Sequence, residues 1–122
     1  MSTHVEGSAR TFVAAEDIPA FTAVKTDANG QLVNATGATD LTLGVIHAAV
    51  PAGGVIDVRL RTAAGTSQIS CGEAVAKDAP ITSDANGKAT DVIASGNQIL
   101  GYALQAGVTG EVIEFLPSTG KY

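Results

Sequence analysis

The sequence predicts an all-β fold, a compact antiparallel β-barrel or sandwich built from two tandem, pseudo-symmetric repeats. Three observations predict it: an internal repeat, an Asn-Gly turn in each copy, and the composition. Hydrophobic residues make up 45% of the 122 residues, but aromatic residues only 4%. Small β-branched side chains and 14 glycines suit short, tightly turned strands better than a helical bundle.

The internal repeat has one constant offset of 57 along the chain and needs no gap. The sequence Asp-Ala-Asn-Gly at 27–30 recurs at 84–87, and Leu-Gly at 43–44 recurs at 100–101. Between residues 16–59 and 73–116, eleven of the 44 aligned positions are identical. A solenoid needs three or more copies, so two copies are expected to close on each other in one domain.

Each repeat is predicted to consist of strands separated by turns. In both copies a strand leads into Asn-Gly, the strongest short hairpin signal, and a type I′ turn is expected because both residues tolerate positive φ. The predicted return strands are 31–35 and 88–93, the apolar strands 41–50 and 98–106, and the closing strands 55–61 and 111–116. In the first closing strand, polar and apolar residues alternate, which indicates a half-buried strand.

These elements predict the domain organisation. Residues 1–11 are polar and show no periodicity, so they are expected to form a flexible N-terminal arm, and 118–122 a short C-terminal tail. One β-domain is expected at 12–117, with repeat one at about 12–61 and repeat two at about 69–117. Because the arm lacks the apolar core of a secretory signal, and no segment reaches the ~18 apolar residues of a membrane span, we expect a soluble chain made in the cytoplasm.

Charge and ligand patterns argue against several function classes. The net charge is −5 and the seven basic residues are scattered, so nucleic acid is not expected as a direct partner, nor is a membrane. His4 lies in the arm, and His47 is interpreted as a half-buried strand histidine rather than a metal ligand. The turn at 27–30 begins like a calcium loop but lacks the later oxygen ligands. We expect no metal and no cofactor.

No residue pattern indicates an enzyme. Cys71 is the only cysteine, so no intrachain disulfide forms, and its repeat counterpart Ala14 indicates a small packing position rather than a reactive thiol. Asp57 and Glu114 hold equivalent strand positions, and catalysis by this pair as general acid and base remains an open interpretation. Acidic residues on strand exteriors are, however, usually solvated and discourage edge-to-edge pairing.

Several segments together resemble the head decoration, or cement, proteins of tailed bacteriophages. They are a short polar arm followed by AAEDIPAFTAVKTDANGQLV, LTLGVIHAAVPAGGVIDVRL, GEAVAKDAPITSDANGKAT and QILGYALQAGVTGEVIEFL. Small Ala-, Gly- and Thr-rich β-proteins of this group carry Gly-x-Val/Tyr, then Ala, then Gly-x-x-Val-x-Val, which is similar to residues 43–58 and 100–115 here. The resemblance covers nearly the whole chain and lies in residue composition and turn spacing.

This resemblance implies a homotrimer on the outside of the phage head, which stabilises the shell by bridging major capsid subunits. Three linked contacts would multiply a weak contact made by each protomer. In the assembled virion, the arm is expected to contact the capsid or the adjacent protomer. The residues assigned to this contact are Ser2, Thr3, His4, Val5, Arg10 and Phe12.

Other interpretations stay open. Residues 16–19 and 72–75 resemble the β-clip type of fold, which suggests a carbohydrate-binding domain, and a tail or baseplate component is a further alternative. A carbohydrate binder should present exposed aromatic platforms, but at least two of the five aromatic residues fall at predicted core positions. An enzyme should gather titratable groups in a pocket, and the sequence shows no such cluster.

Overall fold

The computed structural model describes residues 9–40, 42–60 and 65–118, and these residues form ten β-strands. The strands are β1 (Ala9–Val13), β2 (Thr22–Thr26), β3 (Leu32–Asn34), β4 (Gly44–Ile46), β5 (Val55–Leu60), β6 (Ser67–Ser70), β7 (Pro80–Ser83), β8 (Ala89–Thr90), β9 (Gly101–Ala103) and β10 (Val112–Pro117). They form two curled antiparallel sheets, ordered β1-β5-β4-β2-β3 and β6-β10-β9-β7-β8. The predicted all-β fold is confirmed. The described part of the chain holds no helix that is both long and apolar enough to cross a membrane.

The two sheets correspond to the two sequence repeats. Strands β1 to β5 match β6 to β10 at the offset of 57, to within one residue at either end, and both sheets have the same strand order. Isolated bridges repeat as well, since Ala14 pairs in parallel with Leu32 and Cys71 with Ala89. The duplicated unit is therefore one curled five-stranded sheet, and the two-repeat architecture is confirmed.

Several element boundaries differ from the expected ones. Strand β1 begins at Ala9, so Arg10 and Thr11 of the predicted arm pair with β5. Residues 1–8 and 119–122 lie outside the described residues. The apolar strands are much shorter than predicted, because after β4 the chain bends away and Val50 pairs with Ile18 through two backbone hydrogen bonds of 2.9 and 3.0 Å.

The Asn-Gly segments are turns as predicted, but the expected type I′ conformation is wrong. Among these residues only the glycines have positive φ, 76° at Gly30 and 75° at Gly87. Gly30 N donates to the Asp27 carbonyl at 3.0 Å, and Asp27 Oδ1 accepts from the backbone N–H groups of Asn29 and Gln31. The aspartate side chain thus stabilises a type I turn that is followed by a left-handed glycine.

The repeated Leu-Gly pair marks a close approach of two strands in each sheet. A Cβ atom on Gly44 would overlap the carbonyl oxygen of Arg59 on β5, and one on Gly101 would overlap that of Leu116 on β10. Only glycine allows this approach, which explains why both copies carry it at the same position.

Each sheet has its own hydrophobic core, built from equivalent positions. The equivalent buried pairs are Phe12/Ile69, Ala14/Cys71, Ile18/Val75, Val24/Ile81, Leu32/Ala89, Ile46/Ala103 and Val58/Phe115. The core cluster of repeat two also includes Ala23, Ala35 and Val45 from repeat one. Strand alternation places Ala23 and Val45 on the opposite side of the first sheet from that sheet's own core. Repeat two therefore packs on the back of the first sheet.

Candidate interaction surface

The predicted contact residues are separated in the structure. Arg10 is exposed on β1, and its guanidinium carbon lies 4.7 Å from the centroid of the Phe12 ring. Phe12 is only 8% exposed and belongs to the core of repeat one, which leaves little of its ring for contact with another protein. Ser2, Thr3, His4 and Val5 lie outside the described residues.

His47 lies where the two repeats meet. It directly follows β4 instead of lying within the strand as expected, and it remains exposed although its ring is partly shielded where it meets Ser67. Its Nε2 is 3.0 Å from Ser67 Oγ of repeat two, and its ring centroid lies 5.8 Å from that of Phe21. Partial burial of the imidazole and then the charge of Arg59 lower the pKa of His47, against the opposing effect of a hydrogen bond with the Gln68 backbone. Burial and the Arg59 charge therefore favour the neutral imidazole.

Cys71 occupies the small packing position that the sequence predicted. It is 2% exposed, and its counterpart Ala14 is 1% exposed. Burial, followed by the charges of Glu111 and Asp91, raises the pKa of the Cys71 thiol. Because the thiolate is the nucleophilic form, this environment suppresses thiol reactivity.

The equivalent carboxylates of Asp57 and Glu114 each accept a hydrogen bond from a threonine hydroxyl. Thr11 Oγ1 donates to Asp57 and Thr66 Oγ1 donates to Glu114, both at 2.5 Å. No group of three or more His, Cys, Asp or Glu side chains suited to a metal occurs within residues 9–40, 42–60 and 65–118.

Repeat two contacts repeat one through its edge strand β6, through its β7–β8 turn and through the loop before β9, where Gln98 N donates to the Ala38 carbonyl at 2.7 Å. Ser70 N donates to the Phe21 carbonyl at 2.9 Å, and Ala23 N donates to the Gly87 carbonyl at 2.8 Å. Gly87 is buried at this junction, where a Cβ atom would lie 2.6 Å from Thr22 Cγ2. The fit requires glycine at the tip of the turn.

A lysine adds a polar contact to the same junction. Lys88 Nζ donates to Thr22 Oγ1 at 2.8 Å. Burial lowers the pKa of Lys88, although the carboxylate of Asp84 opposes this shift. The junction thus combines apolar packing with hydrogen bonds between main chains and between side chains.

The back of the second sheet is not covered by any described part of the chain. Pro80, Tyr102 and Leu116 form a row across β7, β9 and β10, because Pro80 pairs with Tyr102 and Tyr102 with Leu116. Leu104 and Val112 lie on the same side by strand alternation. Tyr102, Leu104, Val112 and Leu116 are between 37% and 49% exposed. We call these five residues the sheet-two face.

The corresponding row in the first sheet consists of Ala23, Val45 and Arg59. Ala23 is 0% exposed and Val45 is 2% exposed, because repeat two covers them. The part of this face formed by Ala23 and Val45 is therefore buried between the repeats, whereas Tyr102, the equivalent of Val45, is 42% exposed. A contiguous exposed apolar cluster of this kind marks an interaction site more often than a scattered apolar residue does.

Sequence patterns alone did not identify this surface. The repeat alignment does contain a signal, since Tyr102 and Leu104 replace Val45 and His47 at equivalent positions. That signal has meaning only once the structure shows which of the two faces is covered.

Comparison with known proteins identifies a shared fold. No model of a known protein family matches the chain, and no curated protein matches it significantly. A solved structure that does match is the head fiber gp8.5 N base of bacteriophage phi29, with a TM-score of 0.76 and 17% sequence identity. The match covers 93% of this chain and 96% of the phi29 chain. The two chains therefore share one fold over nearly their whole lengths.

Proposed function

We propose that this chain is a structural protein of a bacteriophage head, which decorates the outside of the capsid and stabilises the shell by bridging major capsid subunits. The observation that carries the proposal is the fold shared with the phi29 head fiber base across 93% of this chain. Two small packed sheets with an exposed apolar face suit a protein that acts through contact area. The proposal assigns it no catalytic step and no cofactor.

The proposed assembly is a homotrimer whose main partner is the major capsid protein. We assign the capsid contact, or a contact with the adjacent protomer, to the N-terminal segment that precedes β1. Three such segments on one trimer would bind a shell much more tightly than a single segment, because the second and third contacts form at a high effective concentration.

The first test is the composition of purified virions, measured by quantitative mass spectrometry. We expect hundreds of copies per particle, in a fixed ratio to the major capsid protein. A few copies per particle would place the chain in the tail or baseplate. Its absence from virions would overturn the proposal and favour the β-clip-like carbohydrate-binding interpretation.

The second test measures shell binding directly. Deletion of residues 2–8 leaves β1 intact, because that strand begins at Ala9. Heads that lack the protein are incubated with the full-length or the shortened chain and sedimented, and the bound fraction is measured on gels. We expect the deletion to weaken binding at least about tenfold, which corresponds to roughly 1.4 kcal/mol.

Deletion of residues 119–122, at the other end of the chain, is the matched control and is expected to leave binding unchanged. Undiminished binding of the chain shortened at its N-terminus would remove that segment from the contact. Failure of the full-length chain to bind any head would contradict the capsid role itself.

A further inference from the structure

Two different surfaces join the two repeats of this chain. Repeat one contributes Phe21, Thr22, Ala23 and His47. Repeat two contributes Ser67, Ser70, Gly87 and Lys88. The repeat-one counterparts of this second set are Arg10, Val13, Gly30 and Gln31. None of these belongs to the surface that repeat one contributes, so the junction is heterologous and each of its surfaces has an unused counterpart.

The first unused counterpart, which we call the free edge, consists of Arg10, Val13, Gly30 and Gln31. All four residues are exposed. A Cβ atom on Gly30 would have no neighbouring atom within 4 Å, whereas one on Gly87 would lie 2.6 Å from Thr22 Cγ2. The turn that docks in repeat two is therefore open in repeat one.

The second unused counterpart lies on the sheet-two face, where Pro80, Tyr102 and Leu104 are equivalent to Ala23, Val45 and His47. This face is more apolar than the covered face, since Leu104 stands in place of His47 and Leu116 in place of Arg59. Pro80 takes the position of Ala23, whose N–H bonds the Gly87 carbonyl. Because proline has no N–H, a chain docked on this face would be held mainly by side-chain packing.

We propose that the sheet-two face binds the free edge of a second copy of this chain, in the arrangement that already joins the two repeats. The proposal rests on the self-association proposed above and is independent of the capsid as a target. Contacts of this heterologous type form a closed ring wherever the rotation between copies closes.

Charge complementarity supports this choice of occupant. Arg10 of the second copy would take the position of Ser67 and so arrive beside Leu104. Leu104 N donates to the backbone carbonyl of Glu114 at 3.0 Å, and the Glu114 side chain lies on the same side of β10 as Val112. The guanidinium would therefore come close to the Glu114 carboxylate, which adds an ion pair to the apolar contact.

Single cysteines test the arrangement. Cys71→Ala removes the only cysteine and is expected to fold, because Ala14 fills the equivalent buried position. In this background, Val13→Cys marks the free edge and Asp78→Cys marks the side of the sheet-two face. These positions are the counterparts of Ser70 and Phe21, whose backbones are joined by a hydrogen bond of 2.9 Å.

Oxidation of a mixture of the two variants is expected to give disulfide-linked dimers that contain one chain of each. Each variant alone is expected to give no more dimer than Val108→Cys, a control in the exposed β9–β10 turn outside both surfaces. Self-linking of either variant alone would indicate a twofold contact and overturn the proposal. Oligomers that form no link in the mixture would overturn it as well.

A charge placed on the face gives a second readout. Leu116→Glu is expected to convert oligomers to monomers in light scattering while thermal unfolding of the monomer changes little, because Leu116 is 49% exposed. Val108→Glu is the matched control and should leave the oligomer intact. If the chain is monomeric and Leu116→Glu instead abolishes binding to heads, the face belongs to the capsid contact and the proposal is wrong. Cross-linking uses the isolated chain without heads, so its outcome does not depend on whether the chain binds a capsid.

Discussion

Phe21 and Asp78, which hold equivalent positions in the two repeats, share a left-handed backbone conformation with φ of 54° and 68°. They are the two non-glycine residues with positive φ in the described ranges. Both precede the first strand of a hairpin, so the repeat imposes this conformation whatever the side chain. At Phe21 this conformation also serves the junction, where the carbonyl accepts a hydrogen bond from Ser70 and the ring contacts His47.

The strain at Asp78 predicts a stabilising substitution. Asp78→Gly is expected to raise the free energy of unfolding by up to about 1 kcal/mol, because glycine adopts positive φ without steric cost and only part of that gain is lost to unfolded-state entropy. The ion pair that the variant loses, with Lys77 at 3.3 Å, is exposed and contributes little. Urea unfolding measures the difference. Phe21→Gly, which removes the contact with His47, is expected to destabilise the protein instead.

The two turn glycines form a matched pair that isolates the inter-repeat junction. Gly30→Ala and Gly87→Ala both place a side chain at positive φ, which costs about 1 kcal/mol each. Gly87→Ala also forces a methyl group against Thr22 Cγ2 and the Ala23 carbonyl, which lie 2.6 and 2.7 Å from the position that its Cβ would take. We expect Gly87→Ala to lose roughly 1–3 kcal/mol more than Gly30→Ala in denaturant unfolding. Equal losses would mean that the junction contributes little to stability.

His47 predicts a dependence of stability on pH. Its pKa is lowered in the folded state, so the unfolded state takes up a proton first as the pH falls. Its contribution to stability is therefore complete above the unfolded pKa of about 6.5 and is lost as the pH falls below that value toward the lowered folded pKa. The free energies of unfolding of the wild type and of His47→Gln are measured between pH 8 and pH 5. Their difference at each pH isolates His47, because the contributions of groups common to both proteins cancel. A difference that does not change with pH would contradict the assignment.

The burial of Cys71 predicts a thiol that reacts slowly in the native protein. Because burial raises the pKa of the thiol, we expect a thiol-specific reagent at pH 8 to label the native protein far more slowly than the denatured protein. Cys71→Ala should remain folded and lose about 1 kcal/mol, the scale of removing one small buried group. Rapid stoichiometric labelling of the native chain would show that the packing around Cys71 opens readily.

Local signals in the sequence predicted the elements, and contacts between distant segments changed their details. The Asn-Gly hairpins were predictable because turn residues act within a few positions. The turn type was missed although its signal is also local: the Asp27 side chain accepts hydrogen bonds from the backbone of Asn29 and Gln31, two and four residues further on. The short length of β4 was not predictable, because it results from the pairing of Val50 with Ile18, which lies before β2 and far away in the sequence.

The candidate surface was likewise only partly predictable from the sequence. The sequence placed Phe12 among the contact residues because it adjoins a polar arm, but β1 directs its ring into the core of repeat one. Tyr102 and Leu116 looked like ordinary strand residues. Their importance comes from the uncovered back of the second sheet, which no local pattern reports.

By itself, the sequence determined that the chain is all-β and that it contains one supersecondary unit twice, because the constant offset of 57 preserves turns, close-approach glycines and core positions together. Only the tertiary structure decided that Ala23 and Val45 are covered while Tyr102 and Leu116 stay open. The physical reason is that burial depends on which surface of one repeat meets the other. Two copies joined through different surfaces necessarily leave one of each surface that the other repeat does not cover.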